Sequence, residues 1–170
     1  NNLDVQVYYN PRANELDVVT TETGVNLLNG SFEIETVTGV SDNWTFAPYV
    51  NGSVAPDSTS QAHGLKSLKF IGLDANGAGA STSDKFDTAE NTDIDLTFTY
   101  KASNATTLNK IDFKFYDAAG APVSTVTAYT NGTTNPLTYT PYLRRITVPA
   151  NGVEAELIIT GLDPLGTTTK

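Results

Sequence analysis

Between residues 94 and 116 apolar side chains recur at every second position, and that period leaves few folds open. Ile94, Leu96, Phe98 and Tyr100 alternate with Asp95, Thr97, Thr99 and Lys101. Ile111, Phe113 and Phe115 alternate with Asp112, Lys114 and Tyr116. Successive side chains of a β-strand point to opposite faces, so each run buries one face and turns the other to water. A helix would need apolar residues at spacings of three and four, and no window of the chain supplies them convincingly. The runs are short and bounded by turn chemistry. Asn-Gly pairs stand at 29–30, 51–52, 76–77, 131–132 and 151–152. Both residues tolerate the positive φ of a tight turn. Roughly nine to eleven short strands are expected. The fold class that follows is all-β, an antiparallel β-sandwich of two sheets packed face to face.

Along the chain, Leu3, Val5, Val7 and Tyr9 share a face, residues 10–15 read as a turn, and residues 16–20 pair back. This predicts an N-terminal β-hairpin. A lone hairpin is marginal in water, so it must dock on the main body or on a neighbour. Residues 1–24 are read as a hairpin arm and residues 25–170 as the sandwich domain. A strand is expected over 31–36, with Phe32 and Ile34 on one face and Glu33 and Glu35 on the other. Others are expected over 44–50, 67–73, 80–88 and 123–129, with a polar loop over 51–62 and with Asp117-Ala118-Ala119-Gly120 as the turn that leads from the 111–116 run into 123–129. Residues 143–149 and 153–160 flank Ala150-Asn151-Gly152 and read as a hairpin.

The formal charge is −9, from 19 acidic against 10 basic residues. No basic stripe is available for phosphates, so nucleic acid is not an expected partner. No apolar run approaches the roughly 18 residues of a spanning helix, so membrane insertion is not expected either. With no cysteine, disulfides, thiolate catalysis and Cys-type zinc sites all fall away. There is no methionine, even at position 1, which is expected of a processed product or an excised piece. A Ser–His–acid triad would have to run through the single histidine, His63, which sits in a loop beside Gly64, and no Gly-x-Ser-x-Gly elbow occurs anywhere in the sequence. Gly77 and Gly79 are not followed by the Lys-Ser/Thr pair of a phosphate loop. Two carboxylates can hydrolyse a glycoside, but nothing singles out a pair among 19 acids. The expectation is a protein that is not an enzyme, with no catalytic residue assigned. Asn-x-Ser/Thr sequons at Asn29, Asn43, Asn51, Asn104 and Asn131 would matter only in a eukaryotic secreted protein.

Binding chemistry is better represented. Sugar rings carry C–H patches that stack on flat aromatic faces, while their hydroxyls bond to polar side chains. Trp44, Tyr129, Tyr139 and Tyr142 are the candidate ligand-binding aromatics, with Tyr49 beside them. A lone tryptophan in an apolar strand more often packs in a core, which is the competing place for Trp44. Tyr129, Tyr139 and Tyr142 flank Thr/Asn-rich turns, where loops can build a platform. Arg144 and Arg145 point to opposite faces of one strand, and Arg144 is taken as the planar donor fork of the site. For a hard cation, which needs six to eight oxygens, the acids nearest strand ends are Glu33, Glu35, Asp42 and Asp163.

The segment Asn29-Gly30-Ser31-Phe32-Glu33, the following Trp44, and Gly64-Leu65-Lys66-Ser67-Leu68-Lys69-Phe70 resemble the opening of jelly-roll carbohydrate-binding modules. These are the galactose-binding-like domains that accompany bacterial glycanases. Residues 93–101 and 110–123 look like their paired central strands, and residues 142–149 like the strand before their last turn. The similarity spans residues 25–163. It implies a sandwich of jelly-roll type, a glycan or polysaccharide ligand, and a structural calcium ion with Glu33 as a ligand, carbonyls near Lys66 beside it, and Asp163 from the closing strand. Members usually close on a strand with an Asp pair; here only Asp163 remains, and Pro164 interrupts a strand. The hairpin lies outside that pattern. Tyr9-Asn10-Pro11-Arg12-Ala13-Asn14-Glu15-Leu16-Asp17 resembles short hairpins of phage capsid decoration and fibre proteins. The expected setting is extracellular or on a virion surface, with neighbouring subunits of an assembly as the second class of partner.

Overall fold

Twelve strands and no helix make up the described part of the computed structural model, which covers residues 4–10, 15–21, 30–59, 61, 64–72, 78–102, 107–130 and 136–162. The strands are β1 (Asp4–Asn10), β2 (Glu15–Thr21), β3 (Trp44–Pro48), β4 (Gly52–Asp57), β5 (Ser67–Gly72) and β6 (Ala78–Ser83). They continue with β7 (Phe86–Asp87), β8 (Asp93–Tyr100), β9 (Thr107–Tyr116), β10 (Pro122–Thr130), β11 (Thr140–Thr147) and β12 (Glu154–Leu162). One layer is the sheet β10-β9-β12-β6-β3, with β7 also on β12. The other layer consists of two ribbons, β11-β8 and β4-β5. The hairpin β1-β2 is a sheet of its own. All pairings are antiparallel. Most connections, such as β3 to β4, β8 to β9 and β10 to β11, pass from one layer to the other. This is the predicted antiparallel β-sandwich of jelly-roll type.

The alternation sets the inner faces. Ile111, Phe113 and Phe115 of β9 stand opposite Ile159, Leu157 and Ala155 of β12. Ile94, Leu96, Phe98 and Tyr100 of β8 close over them, with Tyr142 and Ile146 of β11. Phe115 is fully enclosed, and each such side chain contributes about 1.5–3 kcal/mol. On the inner face of β6 every residue is small: Gly79, Ser81 and Ser83. The space they leave is filled from the β4-β5 ribbon. A Cβ on Gly79 would lie 2.5 Å from Val54, and one on its pairing partner Gly161 would lie 2.6 Å from the Phe70 ring.

Three expectations need correction. Residues 31–36 are not a strand. Phe32 takes φ +62°, outside the extended region, and turns its ring onto Trp44, while Ile34 is left exposed. Side-chain carboxylates hold this segment instead of a sheet ladder: Asp42 accepts from both N and Oγ1 of Thr36, and Glu35 accepts from the Gly39 amide. Residues 51–62 were expected as loop, yet Gly52–Asp57 is a strand, with Val54 buried and Pro56 opposite Leu68 of β5. The runs 143–149 and 153–160 are strands but not a hairpin: β11 pairs with β8 and β12 with β9, β6 and β7, in different layers. The N-terminal hairpin forms as predicted, with Asn10 opposite Glu15. So does the β9-β10 hairpin, whose turn is held by Ala119 and Ala121 amides donating to Asp117 Oδ1.

Candidate functional site

At the open end of the β9-β10 hairpin, three strands bring four aromatic rings and one cation together. β8 supplies Phe98 and Tyr100, β11 supplies Tyr142 and Arg144, and β10 supplies Tyr129. In the β8-β11 ladder Phe98 lies opposite Tyr142, and their rings stack with centroids 5.3 Å apart and planes 12° from parallel. Tyr100 stacks on Tyr142 at 5.1 Å, and Tyr129 meets Phe98 and Tyr142 edge-on at 5.2 and 5.3 Å. Tyr129 reaches this cluster because β10 carries a bulge. Thr127 pairs with Asp112 and Tyr129 with Ile111, so Ala128 is the extra residue. Without it, strict alternation would send Tyr129 to the outer face. The Tyr100 and Tyr129 hydroxyls hydrogen-bond each other. Burial first, and then hydrogen bonds with Tyr129 and Tyr142, raise the Tyr100 pKa well above the usual phenol range, so the Tyr100 hydroxyl stays neutral and can both donate and accept. The Arg144 guanidinium lies 5.4 Å from the Tyr129 ring centre and 5.5 Å from that of Tyr142, and its Nη1 donates to the Leu143 carbonyl at 2.8 Å.

Of the five predicted ligand-binding residues, Tyr129, Tyr142 and Arg144 therefore meet. Tyr129 does so as a buried member, 7% exposed, rather than as a surface platform; Tyr142 and Arg144 are half-buried. Tyr139 is half-buried at the same end of the ribbon, with Lys101 Nζ 4.7 Å above its ring. Trp44 is a correction: at 5% exposure, with Phe32 4.8 Å away, it is a core residue and offers no face to a ligand. Tyr49 is exposed, but outside this cluster. Arg145 points to the other face of β11, where its Nε donates to Asp95 Oδ1 at 2.6 Å. That hydrogen bond holds the Asp95 carboxyl below its usual range against the opposing effect of burial. Phe98, Tyr100 and Lys101 were not singled out from the sequence. The signal lay in the β8 alternation, but it needed the β8-β11 register to show that those residues face Tyr142.

Of the residues implied as calcium ligands, Glu33 has one carboxylate oxygen engaged: its Oε1 accepts the amides of Leu65 and Lys66 at 2.6 and 2.8 Å. A Cβ on Gly64, at φ +66°, would lie 2.5 Å from the same oxygen. Glu35 is paired with Lys66 Nζ at 2.6 Å. Asp163 lies outside the described residues, as does His63. Among the described residues no three His, Cys, Asp or Glu side chains gather as metal ligands. An open groove of about 610 Å³ lies at the turn end of the β9-β10 hairpin, lined by residues including Glu90, Asp117, Pro122, Val123 and Asn151. No aromatic side chain lines it. No described helix is long and apolar enough to cross a membrane.

No protein-family model matches the sequence, and no curated protein does. Solved structures match in shape. The enzymatically active domain of bacteriophage CBA120 tailspike protein 4 superposes with a TM-score of 0.56 at 18% identity, over 71% of this chain and 17% of the tailspike chain. The CBM22-1–GH10 modules of Clostridium thermocellum endo-1,4-beta-D-xylanase 10B, complexed with xylohexaose, match with a TM-score of 0.50 at 14% identity, over 72% of this chain and 25% of the other. The CBM22-1 xylan-binding domain from Paenibacillus barcinonensis Xyn10C gives 0.45 at 13% identity, over 74% and 88%, too distant to add to the argument. The chain thus spans only a fraction of the first two chains, and at these identities they speak for the fold alone. Part of each of these two chains superposes on this antiparallel β-sandwich.

Proposed function

We propose that the protein is a non-catalytic carbohydrate-binding module, displayed on an extracellular or virion surface, that holds glycan at the Tyr142–Arg144 end of the sandwich. The observation that carries this reading is the convergence there of Tyr100, Tyr129, Tyr142 and Arg144 from three strands of two layers. Tyr142 supplies ring surface, its neighbours supply hydroxyls, and Arg144 supplies donors; none of them is a nucleophile paired with a base. The rings are held by one another, so little side-chain entropy is lost when a sugar settles on them. Support from shape comes from the xylanase chain, whose structure contains a carbohydrate-binding module and a bound xylo-oligosaccharide. Affinity per site would be weak and raised by repetition on a surface.

The test is calorimetric titration with xylohexaose and a panel of neutral oligosaccharides. Binding is expected for at least one, weakened about three- to tenfold in Tyr142→Ala, in line with the roughly 0.5–1.5 kcal/mol of an aromatic stack. No heat with any saccharide, or release of reducing sugar from a polysaccharide, would overturn the reading. A second reading rests on β1 and β2, which pair only with each other among the described strands. In it the protein is a virion decoration or fibre subunit whose hairpin docks on a neighbour.

A further inference from the structure

Acidic residues outnumber basic ones by 19 to 10 in this chain, so a cation without a carboxylate beside it stands out. Six of the eight described basic side chains have one. Lys66 pairs with Glu35, Lys69 with Asp57, Lys85 with Glu154, Lys110 with Asp112, Lys114 with Glu156 and Arg145 with Asp95. Among the described residues only Lys101 and Arg144 lack an ion-pair partner, and both lie against tyrosine rings, Lys101 over Tyr139 and Arg144 over Tyr129 and Tyr142. On a surface this acidic, chance pairing would be expected to find them a carboxylate as well.

We infer that the site selects saccharides bearing a carboxylate, with Arg144 as the residue that receives it. This deepens the carbohydrate-binding reading and rests on it. Arg144 Nη1 is already committed to the Leu143 carbonyl. That bond and the two tyrosine rings orient the guanidinium plane and leave the Nε–Nη2 edge with no partner among the described residues. Two parallel N–H donors at one edge match the two oxygens of a carboxylate. A neutral hydroxyl would use only one of them. The ring of the same sugar would lie on Tyr142, next to Arg144 on the inner face of β11. The net charge of −9 opposes long polyanions, which favours a glycan with scattered uronic acids over a fully charged one.

The experiment compares each acid with its own methyl ester, which keeps shape and removes charge. Trigalacturonate and a glucuronic-acid-branched xylo-oligosaccharide are titrated against their esters, with xylohexaose as the neutral reference. At least one acid is expected to bind about tenfold more tightly than its ester, as two charge-assisted hydrogen bonds allow. That ratio should shrink as salt is raised. In Arg144→Gln the ratio should collapse toward one, Arg144→Lys should retain part of it, and Lys69→Gln, remote and ion-paired, should leave it unchanged. Folding of each variant is checked by near-ultraviolet circular dichroism. Acid and ester binding equally well, or a preference that survives Arg144→Gln in a folded protein, would overturn the inference and leave the carbohydrate-binding reading intact. Silence from every saccharide, xylohexaose included, would overturn both.

Discussion

A methyl group added at Gly161 would sit 2.6 Å from Cγ of Phe70, and one at Gly79 would sit 2.5 Å from Val54 and 2.7 Å from the Ala47 carbonyl. These two glycines are register partners in the β12-β6 ladder. Together they form the gap into which the β4-β5 ribbon is pressed. Gly161→Ala is expected to cost about 1–3 kcal/mol, the usual penalty of overpacking. It would be read as a lower urea midpoint with an unchanged slope. The cost in the Gly161→Ala/Phe70→Ala double variant should be well below the sum of the single costs, because the clash is with Phe70 itself. Additive costs would show that the ribbon is held by something else. The same logic separates the two kinds of aromatic residue. Trp44→Ala empties a core site and is expected to cost about 3–5 kcal/mol. Tyr142→Ala, at a half-buried position, should cost less stability and act mainly on ligand binding. If Trp44→Ala instead lowered glycan affinity in a stable fold, the assignment of Trp44 to the core would be wrong.

Residues 30–43, packed beside Trp44, are the element whose structure depends most on ionised side chains. The Glu35 carboxyl is pulled below its ordinary 4.5, chiefly by the hydrogen bond with Lys66 and then by the Gly39 amide. Asp42 is pulled below 3.8 by the side chain and then the backbone amide of Thr36. A depressed folded-state pKa means stability that is fully present above the unfolded value and lost as pH falls through the folded one. The segment should therefore loosen below about pH 4, while sheets that rest on apolar packing persist. Trp44 is the only tryptophan, and its stacking on Phe32 makes it the reporter. Its emission should shift to the red on acidification before the far-ultraviolet sheet signal falls, and Asp42→Asn should show part of that shift at neutral pH. Coincident loss of both signals would refute a separately held segment. This element was also the one least legible in the sequence. Phe32, Ile34, Glu33 and Glu35 alternate as a strand would, yet local hydrogen bonds to carboxylates compete with a ladder, and no period reports them. Where the controlling chemistry is local, as in the Asp117–Gly120 turn of the β9-β10 hairpin, the sequence reading holds. Gly52–Asp57 escaped notice because Ser, Ala, Pro and Asp surround its single buried valine.

Across the whole molecule, what alternation leaves open is which strand lies beside which. Both β11 and β12 were recognisable as strands, but the chain crosses from one layer to the other between them. A short loop with Asn151-Gly152 looks the same whether it closes a hairpin or bridges two sheets. The candidate site inherits that ambiguity. Tyr142 and Arg144 could be named from one strand, whereas Phe98 and Tyr100 joined them only through the β8-β11 register, and Tyr129 only through a one-residue bulge. The same sheet-level view bears on the hairpin. Among the described residues the core cluster draws its side chains only from positions 32 to 159, and β1-β2 shares no ladder with either layer. On the proposed division into an arm and a sandwich, deleting residues 1–24 leaves in place every core side chain and every interstrand pairing of the body found among the described residues. The urea midpoint should then stay within about 0.5 kcal/mol of the full chain, and affinity for a binding saccharide should be unchanged. A loss of several kcal/mol would make the hairpin part of the sandwich. Sedimentation at micromolar to millimolar concentration decides what the arm is for. Assembly by the full chain that vanishes on truncation would favour the virion-subunit reading, because a two-stranded ribbon with open edges gains most of its stability by pairing elsewhere. Identical monomers with and without the arm would leave glycan binding by the sandwich as the function to pursue.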